Sequence, residues 1–394
     1  MSKYPMIPLS EIFDLQMGKT PSRSNSDYWE NGEYKWISIS DLSISDKFVY
    51  RTKERISKRA VAESGIKVVP SHTVVMSFKL SIGKTAITSE PMYTNEAIMA
   101  FHDRGKYPVD IDFIYHLFSH WHWNEGTNKA VMGATLNKAT LQNISIPLPP
   151  IGKQKEIAAS LDAVSEVLRL RKAQLAELDK LVKSQFIEMF GDPMTNDKGW
   201  KRTTLRNVAR RISDGPFGSN LKSEHYSQEG IRVIRLQNIG VSRFLDDDKA
   251  YIPEDHYEKI KKYTCRSGEV VIGTLGDPNL RACIIPEHVD IAINKADCVH
   301  FIPKSEEVNA CFVCEYINQP ATLTLAGESI HGQTRSRISM SQVAALPIFV
   351  PPLQLQTHFA DFVRQADKSK YAIQQALDET QRLFDSLMAE YFEE

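Results

Sequence analysis

The sequence lacks several features that would place the chain in a familiar class. No apolar run approaches the roughly 18 residues of a membrane-spanning helix, and the first residues, MSKYPMIPLSEIF, lack the layout of a signal peptide. Cysteine is scarce and absent from the first half: the sequence has 5, namely Cys265, Cys283, Cys298, Cys311 and Cys314. An odd, one-sided set favours reduced thiols, so we expect a cytoplasmic protein with no membrane association.

Signatures of nucleotide, nuclease and metal chemistry are also missing. The sequence has no GxGxxG turn, no Walker loop and no convincing PD…(D/E)xK pattern. The Pro-Pro pairs, in LPPI and VPPL, begin helical patterns instead of forming a methyltransferase pocket. His116, His120 and His122 have no evident further ligand, and Cys311 with Cys314 is a single CxxC, so packing explains both groups better. We therefore predict no catalytic residue and no metal site.

The most informative feature that is present is a repeat. Residues 146–190 and 348–392 align without a gap. The identical pairs include Pro149 with Pro351, Pro150 with Pro352, Gln154 with Gln356, Leu175 with Leu377, Glu177 with Glu379, Leu181 with Leu383, Ser184 with Ser386, Glu188 with Glu390 and Phe190 with Phe392. A repeat of this length predicts two copies of one plan, each a globular body followed by a long helix.

Both long segments carry apolar residues at alternating steps of three and four. This stripe is typical of a coiled-coil seam. The first seam comprises Ile157, Leu161, Val164, Leu168, Leu175, Leu178 and Val182, and the second Phe359, Val363, Ile373, Leu377, Phe384 and Leu387. Each helix could pack on its own body, or the two helices could pair with each other. We favour pairing, and an antiparallel pair would hold the bodies at opposite ends, related by a pseudo-twofold axis.

The remaining segments predict two bodies of mixed secondary structure. The expected domains are 1–146 and 192–347 for the bodies, the latter with a linker, and 147–191 and 348–394 for the helices. In the first body we predict strands over 35–42, 74–76 and 95–101, and helices over 51–63 and 111–124. Since strands and helices mix without βαβ regularity, the fold class is α+β. The second body echoes the first: VIRLQNI at 233–239 matches WISISDL at 36–42, and Asn294 matches Asn95.

Residues of the kinds that contact DNA concentrate in corresponding loops of the two bodies. Arg, Asn and Gln read base edges, whereas Lys, Ser and Thr suit phosphates. The candidates in the first body are Lys19, Thr20, Ser22, Arg23, Ser38, Ser40, Lys79, Ser81 and Lys84. Those in the second are Ser219, Asn220, Lys222, Arg235, Gln237, Asn238, Thr274, Asn279, Arg281, Arg335 and Arg337. Each alone is an ordinary solvated loop residue, and the prediction rests on their parallel placement. The net charge of −1 means that a DNA surface is local or completed by a partner.

Over nearly its full length the chain resembles the specificity subunit of a Type I restriction–modification system. The resemblance rests on GKTPSRSNSDYWENGEYKWISISDL at 18–42, SFKLSIGKTAI at 77–87, NISIPLPPIGKQKEIAASLD at 143–162, DGPFGSNLKSEHYSQEGIRVIRLQNI at 214–239 and ALPIFVPPLQLQ at 345–356. The plan of that family alternates target-recognition domains with conserved helices, and the helices pair antiparallel as a ruler.

The resemblance implies DNA recognition without catalysis. Each domain would read one half of a bipartite double-stranded DNA site, and the unlike loops would read unlike halves. Two methyltransferase subunits with S-adenosylmethionine, joined in a restriction complex by subunits that use ATP and magnesium, would carry the adenine methylation and cleavage, so that this chain binds no cofactor. The alternatives are a stand-alone methyltransferase or nuclease with degenerate motifs, and an adaptor whose loops bind polypeptides.

Overall fold

The computed structural model describes residues 4–79, 81–123, 136–328 and 337–392. Contacts divide the chain into two compact units. Unit 1 comprises Met1–Lys172 with Ala376–Glu394, and unit 2 comprises Ala173–Gln375. Each unit therefore contains one body and a part of each long helix. The division falls inside the helices, not at their ends.

The body of unit 1 is built from short strands with helices between them. Its strands are β1 (Met6–Pro8), β2 (Phe13–Met17), β3 (Tyr34–Ile37), β4 (Phe48–Val49), β5 (Glu54–Ile56), β6 (Val74–Ser77), β7 (Thr85–Thr88), β8 (Tyr93–Thr94), β9 (Ile98–Asp103) and β10 (Ser145–Pro147). Its helices are α1 (Leu9–Ile12), α2 (Ile39–Ile44), α3 (Lys58–Ser64), α4 (Ile111–His120), α5 (Lys138–Asn143) and α6 (Ile151–Phe190), which continues into unit 2. The sheets have the strand orders β2–β9–β6–β7–β4, β5–β3–β8 and β1–β10.

The body of unit 2 follows the same plan. Its strands are β11 (Lys201–Thr204), β12 (Ala209–Ser213), β13 (Ile231–Ile234), β14 (Tyr251–Ile252), β15 (Thr264–Arg266), β16 (Val270–Gly273), β17 (Arg281–Ile284), β18 (Ile291–Asn294), β19 (Cys298–Pro303) and β20 (Pro347–Val350). Its helices are α7 (Leu205–Val208), α8 (Glu254–Ile260), α9 (Ala310–Ile317), α10 (Pro320–Glu328), α11 (Met340–Ala345) and α12 (Leu353–Phe392), which ends in unit 1. The sheets have the orders β12–β19–β16–β17, β14–β13–β18–β15 and β11–β20.

The internal repeat therefore extends from the helices to the bodies, and the α+β prediction is confirmed. In each body a parallel pair of strands, β3 with β8 and β13 with β18, lies in a mixed sheet. The other large sheet has the same order of four strands in both bodies, β2–β9–β6–β7 in unit 1 and β12–β19–β16–β17 in unit 2. The strand predicted over 74–76 and the helix predicted from 111 are present as β6 and α4.

Two predicted elements of the first body are wrong in part. The strand expected over 35–42 ends at Ile37 and is followed by α2, because the carboxylate of Asp41 accepts the N–H of Ser38 and caps a helix there. The helix expected over 51–63 begins only at Lys58, and β5 precedes it. Alternating polar and apolar residues do not by themselves distinguish a strand from a short helix, and here a capping pair three residues apart decides for the helix.

Both long helices begin directly after a Pro-Pro pair, and a buried glutamine anchors each start. In unit 1 the side chain of Gln154 is fully buried. Its Nε2 donates to the carbonyl oxygens of Pro108 at 3.0 Å and Pro149 at 2.8 Å, and its Oε1 accepts the N–H of Asp110 at 2.8 Å. The glutamine thus ties the first turn of α6 to the segment that leads into α4.

Gln356 of unit 2 makes the same contacts at the start of α12. Its Nε2 donates to the carbonyl oxygens of Glu307 at 3.1 Å and Pro351 at 2.8 Å, and its Oε1 accepts the N–H of Asn309 at 2.8 Å. It is also fully buried. The identity of the two glutamines in the repeat therefore has a structural cause, because each satisfies backbone groups that water cannot reach.

Within unit 1 the beginning of α6 lies beside the end of α12. The Nζ atom of Lys153 is 5.8 Å from the ring centroid of Tyr391. Further along α6, Arg171 donates hydrogen bonds to the carbonyl oxygen of Ala376 and the hydroxyl of Thr380. Residue numbers rise along one helix as they fall along the other, so the helices are antiparallel.

Within unit 2 the end of α6 lies beside the beginning of α12 in the same sense. Lys370 Nζ is 2.7 Å from Asp179 Oδ1, and the rings of Phe186 and Phe359 have their centroids 5.6 Å apart. The predicted antiparallel pairing is thus present in both units. Lys370, which interrupts the apolar stripe of the second helix, is used for an interhelical ion pair.

The helices pack on the bodies as well as on each other. Every position that we predicted for the seam is buried or half-buried. In unit 1 Leu161 and Leu168 of α6 share one core with Phe101 of the body and with Phe384 and Met388 of α12. The end of the second helix thus completes the core around the first body. A buried Phe or Met side chain contributes about 1.5–3 kcal/mol.

The core of unit 2 has the reciprocal composition. Phe186 and Phe190 of α6 pack with Phe312 of the body and Phe359 of α12. The two interpretations of the stripe are therefore not exclusive, because residues of one seam serve both the helix pair and a body. In the part of the chain that the structure describes, no helix combines the length and apolarity needed to cross a bilayer.

Candidate nucleic-acid interface

The turn after β3 presents the first group of candidate residues. Ser38 is the N-cap of α2, and Asp41, which is almost fully buried, fixes it. Asp41 Oδ2 accepts the N–H of Ser38 at 2.8 Å and its hydroxyl at 2.6 Å, while Oδ1 accepts the N–H of Lys53 at 2.8 Å. The exposed hydroxyl of Ser40 lies 2.7 Å from that of Ser38. A buried carboxylate thus holds the half-buried hydroxyl of Ser38 next to the exposed hydroxyl of Ser40.

The turn after β13 has the same backbone frame with different side chains. The N–H of Arg235 donates to Asn238 Oδ1 at 2.9 Å, and Asn238 Nδ2 donates to the carbonyl oxygens of Leu245 at 2.9 Å and Asp248 at 2.7 Å. Gln237 between them is exposed. Because Asn238 is fully buried and both of its N–H groups are used, the prediction that it contacts DNA is wrong. It is the counterpart of Asp41.

A close backbone approach brings another loop to each of these turns. A Cβ atom on Gly18 would lie 2.2 Å from the carbonyl oxygen of Asn95, and one on Gly215 would lie 2.2 Å from that of Asn294. No side chain fits at either position. The loops that begin at these glycines therefore run against the segments that follow β8 and β18. They carry the candidates at 19–24 and 219–222.

Hydrogen bonds shift the correspondence between residues of the two bodies by one position from the one that the sequence suggested. The N–H of Asn95 donates to the carbonyl oxygen of Ile37 at 3.0 Å, and the N–H of Lys295 donates to that of Ile234 at 2.9 Å. Asn95 therefore corresponds to Lys295, not to Asn294 as the letters suggested. Lys295 thereby joins the candidates. Its position directly after a strand was the signal available in the sequence.

Arg23 is held in place on an aromatic surface. Its guanidinium donates to the two carboxylate oxygens of Glu54 at 2.5 and 2.9 Å, and its central carbon lies 3.7 Å from the ring centroid of Trp29. The hydrogen bond from Arg23 lowers the pKa of the Glu54 carboxyl. Trp36 Nε1 donates to the carbonyl oxygen of Lys19 at 3.1 Å and so shapes the loop. The roles of Glu54 and the tryptophans were not found from the sequence.

The candidate lysines of unit 1 differ from Arg23 in their surroundings. For Lys19, Lys79 and Lys84 no ion pair exists among the residues that the structure describes. Lys84 Nζ lies 2.5 Å from the hydroxyl of Ser43 on α2, which places the turn after β6 near the capped loop. Thr20 donates to the carboxylate of Glu96. The remaining candidates, exposed Ser22 and half-buried Ser81, lie in the same two loops.

The candidates of unit 2 at 219–222 are exposed. Ser219 and Asn220 belong to a 3₁₀ turn, Gly218–Asn220, and the carbonyl oxygen of Asn220 lies 2.8 Å from His256 Nε2. Lys222 Nζ is 3.5 Å from a carboxylate oxygen of Glu224. These side chains are accessible to a ligand in the positions that the sequence predicted.

Arg281 and Thr274 have structural roles in place of the predicted contacts with DNA. Arg281 donates to the carbonyl oxygens of Leu236, Ile239, Leu275 and Pro278, at 3.0, 2.5, 2.8 and 2.9 Å. Its guanidinium therefore shapes the capped loop from within. Thr274 is buried, and its hydroxyl donates to the carbonyl oxygen of Asp297 at 3.0 Å. Residue type alone could not reveal these roles, because the partners are far apart in the sequence.

The last candidates of unit 2 lie near the same loops. Arg337 Nη2 is 2.9 Å from Asp297 Oδ1, and half of the arginine side chain is exposed. Asn279 is half-buried and forms interactions of its own. Arg335 lies outside the described residues.

The histidines and cysteines considered as metal ligands or nucleophiles have other surroundings in the part of the chain that the structure describes. Over residues 4–79, 81–123, 136–328 and 337–392 no cluster of His, Cys, Asp and Glu has the size needed to hold a metal ion. His116 Nε2 lies 2.8 Å from Asp162 Oδ1 and so packs α4 on α6. Burial raises the pKa of the cysteine thiols, including that of Cys314 in the CxxC, so they are poor nucleophiles at neutral pH.

Comparison with known proteins finds similarity to specificity subunits of Type I restriction enzymes. Residues 1–180 match the Type I restriction modification DNA specificity domain. The chain is 28% identical to the Type I restriction enzyme MjaIX specificity subunit of Methanocaldococcus jannaschii over 59% of its own length and 57% of that relative. It is 21% identical to the MjaVIII specificity subunit of the same organism over 92% of its length and 86% of that relative. The first of these matches thus spans little more than half of the relative.

Two solved structures share the fold along the whole chain. One is the S subunit of a Type-I restriction-modification system from M. genitalium, with a TM-score of 0.57, 15% identity, and coverage of 99% of this chain and 96% of that one. The other belongs to a study of complex assembly and conformational transition of the type I R-M system, with a TM-score of 0.58, 17% identity, and coverage of 100% and 99%. At these identities the likeness establishes the fold.

Proposed function

We propose that the chain is the DNA-recognition subunit of a Type I restriction–modification complex, since residues 1–180 match the Type I restriction modification DNA specificity domain. Each unit reads one half of a bipartite double-stranded site. The observation that carries the proposal is the shared capped loop, which presents Ser38 and Ser40 in one unit and Arg235 and Gln237 in the other. One frame with different side chains suits two different half-sites.

The surroundings and chemistry of the candidate side chains indicate which of them contact phosphates and which contact bases. Lys19, Lys79 and Lys84 contact phosphates, because their ammonium groups lack an ion pair within the described residues and compact charges suit the backbone of DNA. Arg235 and Gln237 contact base edges, since both side chains can form bidentate hydrogen bonds. Affinity for any duplex then depends on salt, and discrimination between sequences depends on the capped loops.

Catalysis belongs to partner subunits in this proposal. Methyltransferase subunits carry S-adenosylmethionine, restriction subunits carry ATP and magnesium, and the complex works in the cytoplasm. This chain supplies no catalytic group. Its near-neutral charge of −1 is compatible with DNA binding because the partners complete the positive channel.

A repeated surface supports binding of two copies of one partner. Glu177, Leu181, Ser184 and Glu188 follow one another at steps of four, three and four, so they share one helix face. Identical residues stand at the matching positions of α12, namely Glu379, Leu383, Ser386 and Glu390. All of these side chains are exposed, with Leu181 at 48% and Leu383 at 52%. Packing does not require these identities, whereas binding the same methyltransferase subunit twice does.

Substitutions on the repeated surface test the stoichiometry. We expect Leu181→Asp or Leu383→Asp to reduce the bound methyltransferase subunits from two to one, and the double variant to bind none. Native mass spectrometry of the co-expressed complex measures this directly. Leu170→Asp is the matched control, because Leu170 is 47% exposed on the same helix but has Ala372 as its counterpart. Single variants that still bind two partners would exclude this surface.

The function itself is tested by a map of modified bases in the host genome, with and without the gene. We expect a methylated motif with two short halves and a fixed gap that disappears on deletion. A contiguous motif would contradict the two-unit arrangement. Methylation or cleavage by the purified chain alone, given methyl donor or magnesium, would favour a stand-alone enzyme. DNA binding without the linear dependence on salt that phosphate contacts impose would favour a polypeptide-binding adaptor.

A further inference from the structure

The surroundings of Arg235 contain polar groups that the fold does not use. The guanidinium pairs through Nη2 with Oδ1 of Asp248. Arg235 Nε, Asp248 Oδ2 and Tyr226 Oη are buried and have no hydrogen-bond partner among the described residues. The ring of Tyr226 lies near two cations, with its centroid 5.8 Å from the central carbon of Arg235 and 6.0 Å from Lys295 Nζ.

Both ends of Arg235 are fixed. Asn238 accepts the backbone N–H at 2.9 Å, and the carbonyl oxygen of Asp248 in turn accepts from Asn238 Nδ2 at 2.7 Å. Asp248 therefore holds the guanidinium with its side chain and the capping residue with its backbone. The Arg235 side chain keeps 24% of its surface exposed and that of Asp248 35%. The pair lies at the edge of the loop, where a ligand can reach it.

Stability alone does not account for this arrangement. Each buried polar atom without a partner costs roughly 1–3 kcal/mol. An ion pair that is partly exposed contributes little in return. A cluster that combines such a pair with unused donors and acceptors is typical of a site arranged for a ligand.

We propose that Asp248 is a positioning residue that directs Arg235 toward one guanine in the half-site read by unit 2. The inference rests on the proposed function. Arginine recognises guanine by donating to O6 and N7 in the major groove. Asp248 occupies one N–H of the guanidinium, restricts its rotamers and leaves the remaining N–H groups of the two Nη atoms for the base, which lowers the entropic cost of the contact.

The charge of Asp248 also acts on specificity. An unpaired arginine at this position binds phosphates of any sequence, because its charge attracts the DNA backbone. The adjacent carboxylate neutralises that charge and repels phosphates. Arg235 therefore contributes to discrimination between sequences more than to overall affinity. The Asp248 carboxylate is the repulsive element that provides this specificity. Lys295, whose Nζ lies 6.0 Å from the centroid of the Tyr226 ring, keeps a cation available for the DNA backbone.

The same loop provides a matched control. Asp247 is exposed and forms no ion pair in the described part of the chain. Asp246 already serves Arg232, at 2.7 Å. Asp247→Asn thus removes the same charge from the neighbouring position without affecting how Arg235 is held.

The experiment selects preferred sequences from a randomised double-stranded DNA library with the full chain in complex with its methyltransferase subunits. We expect Asp248→Asn to lose at least about fivefold of the preference for G·C at one position of one half-site. Its affinity for a duplex that lacks the site stays equal or rises. Asp247→Asn keeps the wild-type preference. Arg235→Lys keeps the charge but not the bidentate geometry, so we expect it to lose the preference for G·C at the same position. This second variant tests the inference even if Asp248→Asn does not fold.

The possible outcomes separate this inference from the proposed function. Asp248→Asn with an intact preference overturns the inference, as does binding that weakens equally for every sequence, which indicates a purely structural residue. Loss of preference at several positions in both half-sites overturns it too. If the wild-type complex selects no bipartite sequence, the proposed function itself fails.

Discussion

The capped loops of the two units keep one backbone frame with opposite hydrogen-bond chemistry. In unit 1 the carboxylate of Asp41 accepts from Ser38 and from the N–H of Lys53. In unit 2 Asn238 accepts from Arg235 but donates to carbonyl oxygens. The backbone frame is the same in both units because each capping residue is complementary to its neighbours: Asp41 accepts from backbone N–H groups, and Asn238 also donates to carbonyl oxygens. The exposed residues of the loop are then free to differ.

The arginines of the two units show a second contrast. Arg23 pairs with Glu54 through two hydrogen bonds on the face of Trp29, and about half of its side chain is exposed. Arg235 pairs with Asp248 beside Tyr226 in a more buried setting. Both units thus hold an arginine with a carboxylate, but the pair in unit 2 is better shielded from solvent. A shielded pair affects orientation more strongly because water competes less with it.

The largest expected effect comes from exchanging the two capping residues. Asn238→Asp places a carboxylate against the carbonyl oxygens of Leu245 and Asp248, so we expect unit 2 to lose about 3–5 kcal/mol. Asp41→Asn loses an acceptor but buries no charge, and unit 1 should lose about 1–3 kcal/mol. Hydrogen exchange measured for each unit separates the losses. Equal tolerance of both substitutions would mean that the caps are interchangeable.

Replacing either anchoring glutamine should destabilise its own unit by a similar amount. Gln154→Ala and Gln356→Ala each leave a buried backbone N–H and two carbonyl oxygens without their partner. We expect a loss of about 2–3 kcal/mol in unit 1 and unit 2 respectively. Chemical denaturation followed by hydrogen exchange measures it, with Gln174→Ala as the control because that side chain is exposed on α6. Clearly unequal losses would show that the two helix starts are not equivalent.

Acidification should act with opposite sign on two carboxyl groups, Glu315 of unit 2 and Asp162 of unit 1. Burial raises its pKa from 4.5 to about 6, although Ser242 and Lys370 favour the ionised form. Stability from this group is therefore full below pH 4.5 and is lost as the pH rises through about 6. Glu315→Gln should stabilise unit 2 at pH 7 by about 2 kcal/mol at most. A variant with unchanged stability at pH 7 would contradict the assignment.

Unit 1 carries a carboxyl group with the reverse behaviour. Burial raises the pKa of Asp162, but hydrogen bonds from His116 and Lys47 outweigh it and leave the pKa below its ordinary value. This contribution is present above about pH 4 and is lost as the pH falls through the folded-state pKa. Lys47→Met should therefore flatten the acid limb of unfolding in unit 1 only, as measured by denaturation at several pH values. If Lys47→Met leaves the loss of stability at low pH unchanged, Asp162 does not contribute to the acid sensitivity of unit 1.

The smallest effect is expected at the exposed arginine pair. Glu54→Gln should change base preference in the half-site of unit 1 by less than about 1 kcal/mol, because exposed ion pairs contribute little. Sequence selection with this variant and with Asp248→Asn compares the two arginines directly. A larger effect at Glu54 than at Asp248 would reverse the ranking by burial.

The long helices were predictable because their signals are local. Pro-Pro pairs mark the starts, Gly191 follows the end of α6, and the steps of three and four define the seam. The sequence did not reveal that Phe384 completes the core around the first body, since a stripe records which side is buried and not which surface covers it.

The candidate site was predictable as a set of loops but not residue by residue. Gln237 and Lys19 are exposed as expected, whereas Asn238 and Thr274 are buried. Polar side chains of the same types serve as caps inside and as contacts outside. Only the partners distinguish the two uses, and here those partners lie on other strands and loops.

The sequence by itself determined the duplicated plan, the two helices, the α+β class and the loops in which recognition residues are expected. Composition and short-range periodicity carry that information because neighbouring residues share a helix or a strand. The tertiary structure alone decided that Asp41 and Asn238 are equivalent caps, that Lys295 takes the place of Asn95, and that Asp248 holds Arg235. Those relations depend on which side chains and backbone groups the folded body brings together, as in the hydrogen bond from the N–H of Lys295 to the carbonyl oxygen of Ile234.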